Sequence, residues 1–225
     1  MYVTIDDFNR EKINFCEIES KTIPNTLVDY KKIKIKYEDY DFILLSPDDL
    51  LSLGLYEKIS ENKNLTGYQL SVLLWSKYYI RKEEELFISV LNQITEKIIS
   101  YLLEIKKDIC QNELTREKLQ ELNPIYYKLD KKSSPMLFLK CFYNKFNEKI
   151  ETIFVDEEDR KQVNPLMCLQ RKMNTKLCIK IDSIFITPHK ISLQLKLSQC
   201  SFKRMKQNVK SLLYPHIDLT TWKPV

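Results

Sequence analysis

Apolar and polar residues alternate most strictly near the end of the chain. In Lys190–Leu197 (KISLQLKL), Ile191, Leu193, Leu195 and Leu197 take one face, and Lys190, Ser192, Gln194 and Lys196 take the other. That period of two marks a half-buried strand. Leu177–Thr187 (LCIKIDSIFIT) precedes it across Pro188–His189, which predicts a hairpin. Val28–Tyr37 (VDYKKIKIKY) repeats the pattern, with Ile33 and Ile35 opposing Lys32, Lys34 and Lys36. Phe42–Leu45 and Tyr68–Trp75 read as further strands. Met136–Tyr143 and Ile150–Val155 read as a hairpin across Asn144–Lys149. Residues 48–66 look irregular around Gly54.

One stretch has a different period. From about Lys82 to Ile109, Leu86, Phe87, Val90, Leu91, Ile94, Ile98, Leu102, Ile105 and Ile109 mark one broad stripe, the pattern of an amphipathic helix. Glu83, Glu84 and Glu85 suit its first turn, and Lys106 and Lys107 its last. A shorter helix over Leu114–Leu122 stops before Pro124.

Seven strands interrupted by one helical stretch do not form βαβ repeats. The expected fold is α+β and a single domain over residues 1–225. It is an antiparallel OB-type barrel or curled sheet at about 26–200, with a long inserted helix within about 80–123. A basic segment, 201–225, would end the chain with a short helix.

Charge sharpens this picture. The chain carries 36 Lys and Arg against 31 acids, a formal charge of +5. From Arg171 to Val225 there are eleven Lys or Arg and two acids, so this stretch is +9 and residues 1–170 are −4. A basic region beside an acidic one points to a polyanion partner.

Signatures of catalysis are scarce. There are two Gly and two His, and no Walker, GxGxxG or GxSxG pattern occurs. The six Cys form no CxxC pair, so neither a zinc knuckle nor a disulfide framework fits. Asp156–Asp159 reads as a solvated acidic loop. No metal, cofactor or enzymatic activity is expected. The acidic start MYVTIDDF is unlike a secretory signal, and no apolar run of membrane-spanning length is evident, so no membrane is expected and an intracellular setting is.

Binding has better support. A protein that holds single strands needs cations for the phosphates and aromatic faces for the bases. Lys32, Lys34 and Lys36 supply one row, and Lys176, Lys180, Lys190 and Lys196 a second. Lys140, Arg171 and Lys172 add to these. Lys203, Arg204, Lys206 and Lys210 read as a basic helix. Tyr68, Trp75, Tyr143 and Phe185 lie on or beside strands as candidate stacking platforms. A single-stranded nucleic acid is the expected partner, RNA being as open as DNA on these residues, with a homo-oligomer as an option.

Several segments also resemble, in order, a family of single-stranded DNA-binding proteins of nucleo-cytoplasmic large DNA viruses, including those of African swine fever virus and iridoviruses. They are Phe42–Leu55 (FILLSPDDLLSLGL), Gly67–Leu74 (GYQLSVLL), the helix Glu83–Lys107, Ser134–Tyr143 (SPMLFLKCFY), Ile150–Val155 (IETIFV) and Lys180–Cys200. The resemblance covers roughly residues 40–200. It implies an OB-type barrel with helical additions that binds single-stranded DNA in replication, repair or recombination, or packaging. The setting it implies is a viral replication site in the host cytoplasm or nucleus, or the virion, and the alternative is a virion structural or scaffolding protein that contacts partner proteins or packaged genome.

Overall fold

The structure is a computed structural model that describes residues 1–22, 29–75, 79–128 and 134–205. The strands of the first part are β1 (Tyr2–Val3), β2 (Ile13–Thr22), β3 (Asp29–Tyr37), β4 (Tyr40–Asp41), β5 (Ile43–Leu45), β6 (Leu50–Ile59) and β7 (Leu65–Leu73). The helices α1 (Lys82–Glu104) and α2 (Arg116–Leu119) follow. Then come β8 (Ile125–Tyr126), β9 (Met136–Cys141), β10 (Tyr143–Asn144), β11 (Lys149–Ile150), β12 (Ile153–Asp156), β13 (Lys161–Val163), β14 (Met173–Ile186) and β15 (Ile191–Arg204).

The hairpin of β14 and β15 is the spine, paired from Met173↔Arg204 to Ile186↔Ile191. Along its length β14 also pairs with β6, β5 and β3. In turn β6 pairs with β7, β7 with β9, and β9 with β15. The result is a strongly curled sheet, the second of the two forms expected. Its inner face carries Leu55, Leu70, Leu139, Ile179, Ile181 and Leu197, each wholly buried. Buried hydrophobics from Val3 to Phe202 join one core.

The sheet is mixed rather than antiparallel. Both β9 and β12 run parallel to β15, and β1 runs parallel to β5. Only a tight hairpin forces antiparallel pairing, and these strands are joined by longer connections. The expected hairpin of 136–143 with 150–155 is reduced to β10 and β11, because β12 leaves it for β15. The strand β2, not anticipated, pairs along β3.

Residues 48–66 are not irregular. β6 occupies most of them, and Gly54 is where it bulges. Gly54 has φ +105°, and a Cβ there would stand 2.5 Å from the Arg171 backbone nitrogen and 2.8 Å from its carbonyl oxygen. Glycine in this strand marks a close backbone crossing, not an end.

α1 stops at Glu104, with turns replacing the last residues expected of it. Phe87, Val90, Leu91, Ile94, Ile98 and Leu102 bury its stripe in the core, whereas Leu86, also expected in the stripe, is exposed. By length and composition alone α1 is also apolar enough to cross a membrane, a match the sequence reading did not anticipate. The basic helix expected at 203–210 does not begin where proposed, because Lys203 and Arg204 end β15. Lys206, Lys210 and the expected C-terminal helix lie outside the described residues.

Candidate nucleic-acid interface

Outward positions on three neighbouring strands line up as lysines. Lys140 on β9 is the register partner of Lys196 on β15, and Lys196 is the partner of Lys180 on β14. Gln69 on β7 extends the row beyond Lys140. Each lysine has buried neighbours on its own strand, including Leu139, Leu197 and Ile179, which sets its side chain on the outer face. Hydrogen-bonded strands lie about 4.8 Å apart, so the ammonium-bearing stems stand close together. Like charges at partner positions repel.

Beside Lys140 the surface sinks into a recess of about 210 Å³ lined by Lys58, Lys140, Lys196, Tyr68, Phe142 and Tyr143, among others. Lys58 faces Gly67 across β6 and β7, where there is no side chain to fill the space. The Lys196 ammonium lies 5.2 Å from the centre of the Phe142 ring, a cation–π contact worth about 0.5–1 kcal/mol at an exposed site. Lys140 Nζ donates to Gln194 Oε1 at 2.8 Å. Desolvation, and then the charges of Lys58, Lys196 and Lys190, lower the pKa of Lys140. Among the described residues, Lys58, Lys140 and Lys190 have no carboxylate within ion-pair distance. Phe138, two residues before Lys140 and 37% exposed, adds a ring 5.9 Å from that of Tyr126.

Within the row Lys180 and Lys196 are themselves paired, with Asp41 at 2.8 Å and Asp182 at 3.1 Å, and other expected site residues are paired as well. Lys34 binds Glu19 at 2.9 Å, Lys32 reaches Asp182 at 3.8 Å, and Lys176 binds Asp48 at 2.8 Å. Lys36 is half-buried, with Asp41 as its register partner on β4. Lys203 is held by Asp49 at 3.3 Å and Glu157 at 3.6 Å, and Arg204 by the fully buried Asp156 at 2.6 Å. The acidic segment read as a solvated loop is therefore the counter-charge of the end of β15. Arg171, Lys172 and Arg204 instead line a separate cavity of about 810 Å³ with Met167 and Met205. On β15, Arg204 is roughly 26 Å beyond Lys196 at about 3.3 Å per residue. The described C-terminal cations are thus not gathered on one face.

The rings divide in the same way. Tyr68 is buried, and its ring meets that of Tyr143 edge-on at 5.4 Å. Burial first, then the charge of Glu57, raises the Tyr68 pKa. Trp75 is half-buried against the core. Phe185 is half-buried and lies on Tyr30 at 4.6 Å. Sequence reasoning missed Lys58, Phe138 and Phe142. Phe138, Lys140 and Phe142 share a spacing of two, a signal present in MLFLKCFY. Lys58 could not be found, because only the pairing of β6 with β7 brings it to the recess.

Among the described residues, no group of three or more His, Cys, Asp or Glu is placed to hold a metal ion. No curated protein sequence is significantly similar to the chain. Among solved structures, a C-terminally truncated single-stranded DNA-binding protein from bacteriophage Enc34 is similar at 11% identity and a TM-score of 0.39. The alignment covers 85% of this chain and 97% of that one. The two chains differ in too much of their path for residue roles to pass between them. One protein family matches residues 10–221, nearly the whole sequence, and the chain therefore belongs to it: the family of proteins of unknown function DUF2738.

Proposed function

We propose that this protein binds single-stranded nucleic acid, DNA in the first instance, without catalysis and with little sequence preference. The strand's phosphates run along Lys180, Lys196, Lys140, Lys190 and Lys58, and its bases rest against Phe142, Phe138 and Tyr126. The observation that carries this reading is Lys140, aligned with Lys196 on the outer face, crowded by Lys58 and Lys190 as well, and like those two without a carboxylate within ion-pair distance among the described residues. Cations pressed together without counter-charge cost folding energy, and a polyanion offsets that cost. Exposed rings on the same face favour a single strand, whose bases are free to stack, over a duplex. The resemblance to large DNA virus proteins supplies the setting, namely genome replication, repair or recombination, or packaging.

Fluorescence anisotropy with a labelled oligo-dT of about 30 nucleotides, against the matching duplex, tests the reading. Tighter binding to the single strand is expected. Absence of binding to either at about 50 mM salt, where phosphate contacts are strong, overturns it.

A further inference from the structure

Asp182 is an extra residue in its strand. Ile181 pairs with Leu195 and Ser183 pairs with Gln194, so Asp182 between them has no register partner on β15. Such a bulge re-aims side chains locally. Here it sets a carboxylate, 12% exposed, among ammonium groups from three strands. Lys196 of β15 lies at 3.1 Å, Lys180 of β14 at 3.6 Å, and Lys32 of β3 at 3.8 Å. The Ser183 hydroxyl donates to it at 3.1 Å. Lys180 has a second partner, Asp41, at 2.8 Å, but that carboxylate is 64% exposed. Three cations therefore share one mostly buried anion and one solvated one. Lys180 and Lys196 lie in the same row as Lys140, which has neither, and Lys32 lies further along β14, opposite Phe185.

We propose that Asp182 is the built-in counter-ion of the nucleic-acid face. In the free protein it holds Lys32, Lys180 and Lys196 as a phosphate would, and an incoming strand takes Lys196 from it by exchange. The inference rests on the reading that this face binds nucleic acid. A lysine that must leave a carboxylate to meet a phosphate returns part of what it gains. Lys196 then contributes less to affinity than its neighbour Lys140, although the two stand side by side. Asp182 thus limits how tightly the strand is held and keeps it releasable.

Asp182→Asn in the full chain tests this, with oligo-dT titrated over a series of salt concentrations. Affinity should rise about three- to tenfold, and the log–log salt slope should steepen by up to about 0.7 for each lysine set free. A purely structural carboxylate would give unchanged or weaker binding in a protein that still melts cooperatively, and that result overturns the proposal. A second comparison leaves Asp182 in place. Lys196→Gln should flatten the salt slope less than Lys140→Gln does, and equal or greater flattening overturns the proposal. If wild-type protein fails to bind oligo-dT, the parent reading falls and this inference with it. If wild type binds and neither effect appears, only the role of Asp182 is lost.

Discussion

Lys140 and Lys196 occupy partner positions on the parallel strands β9 and β15, two cations where a sheet gains from opposite charges. The arrangement works against folding and for an anionic ligand. Lys140→Gln should therefore stabilise the free protein by about 0.2–1 kcal/mol and weaken oligo-dT binding. Urea melts and anisotropy on the same preparation check both halves. Loss of stability together with unchanged binding would show that Lys140 is only a packing residue.

Acid stability should report the ion pairs of the β2–β3 hairpin. Hydrogen bonds from Lys34 and Lys21 bring Glu19 from 4.5 down to about 2. For Asp182, burial works to raise the pKa, but the ammonium groups of Lys196, Lys32 and Lys180 outweigh it and hold the carboxyl below its ordinary value. A folded-state pKa below the unfolded one gives stability that is present above the unfolded value and lost as pH falls through the folded one. For Glu19 the window runs from 4.5 down to about 2. Lys34→Gln should flatten the pH dependence of stability there, and Lys36→Gln should not. Urea melts at successive pH values give the comparison.

Gly54→Ala should destabilise by about 2–5 kcal/mol. The left-handed φ of +105° and the 2.5 Å approach of the Arg171 backbone act together. Neither partner in the clash is a flexible side-chain end. Thermal unfolding measures the loss, and a wild-type melting temperature would refute the close crossing.

Arg204 should matter for folding rather than for binding. Its partner Asp156 is wholly buried, whereas Arg204 itself is half exposed. Arg204→Gln should cost about 1–3 kcal/mol, less than the loss of one partner from a fully buried pair. Oligo-dT affinity should stay within about twofold, since this arginine is spent on the acidic segment rather than on the lysine row. Binding that collapses without loss of stability would return Arg204 to the interface.

Periodicity made the elements legible where local pattern decides them. The β14–β15 hairpin, β7 and α1 follow from apolar spacing that one side of a strand or helix must satisfy. β6 was hidden, because Gly54 and the exposed run Tyr56–Glu57–Lys58 imitate a loop. β2 was hidden because Ile13–Thr22 does not alternate cleanly, part of its packing coming from Phe15 against Tyr101 of α1, 3.9 Å away. The site was harder still. Lys140, Lys180 and Lys196 could be named as cations, but their alignment depends on register between strands far apart in sequence. Asp182 could be seen two residues after Lys180, on the same face. That it gathers lysines from three strands could not, because the bulge and the β3 pairing set its surroundings.

The central claim is that the outer-face lysines without a carboxylate partner among the described residues carry the nucleic-acid contact. The salt dependence of oligo-dT affinity, compared between wild type and the triple variant Lys58→Gln, Lys140→Gln, Lys190→Gln, measures it most directly. With about 0.7 of slope for each phosphate neutralised on a single strand, the variant should be shallower by about 2. Its melt should be unimpaired. Equal slopes and equal affinity in the two proteins would place any nucleic-acid contact elsewhere and contradict the account.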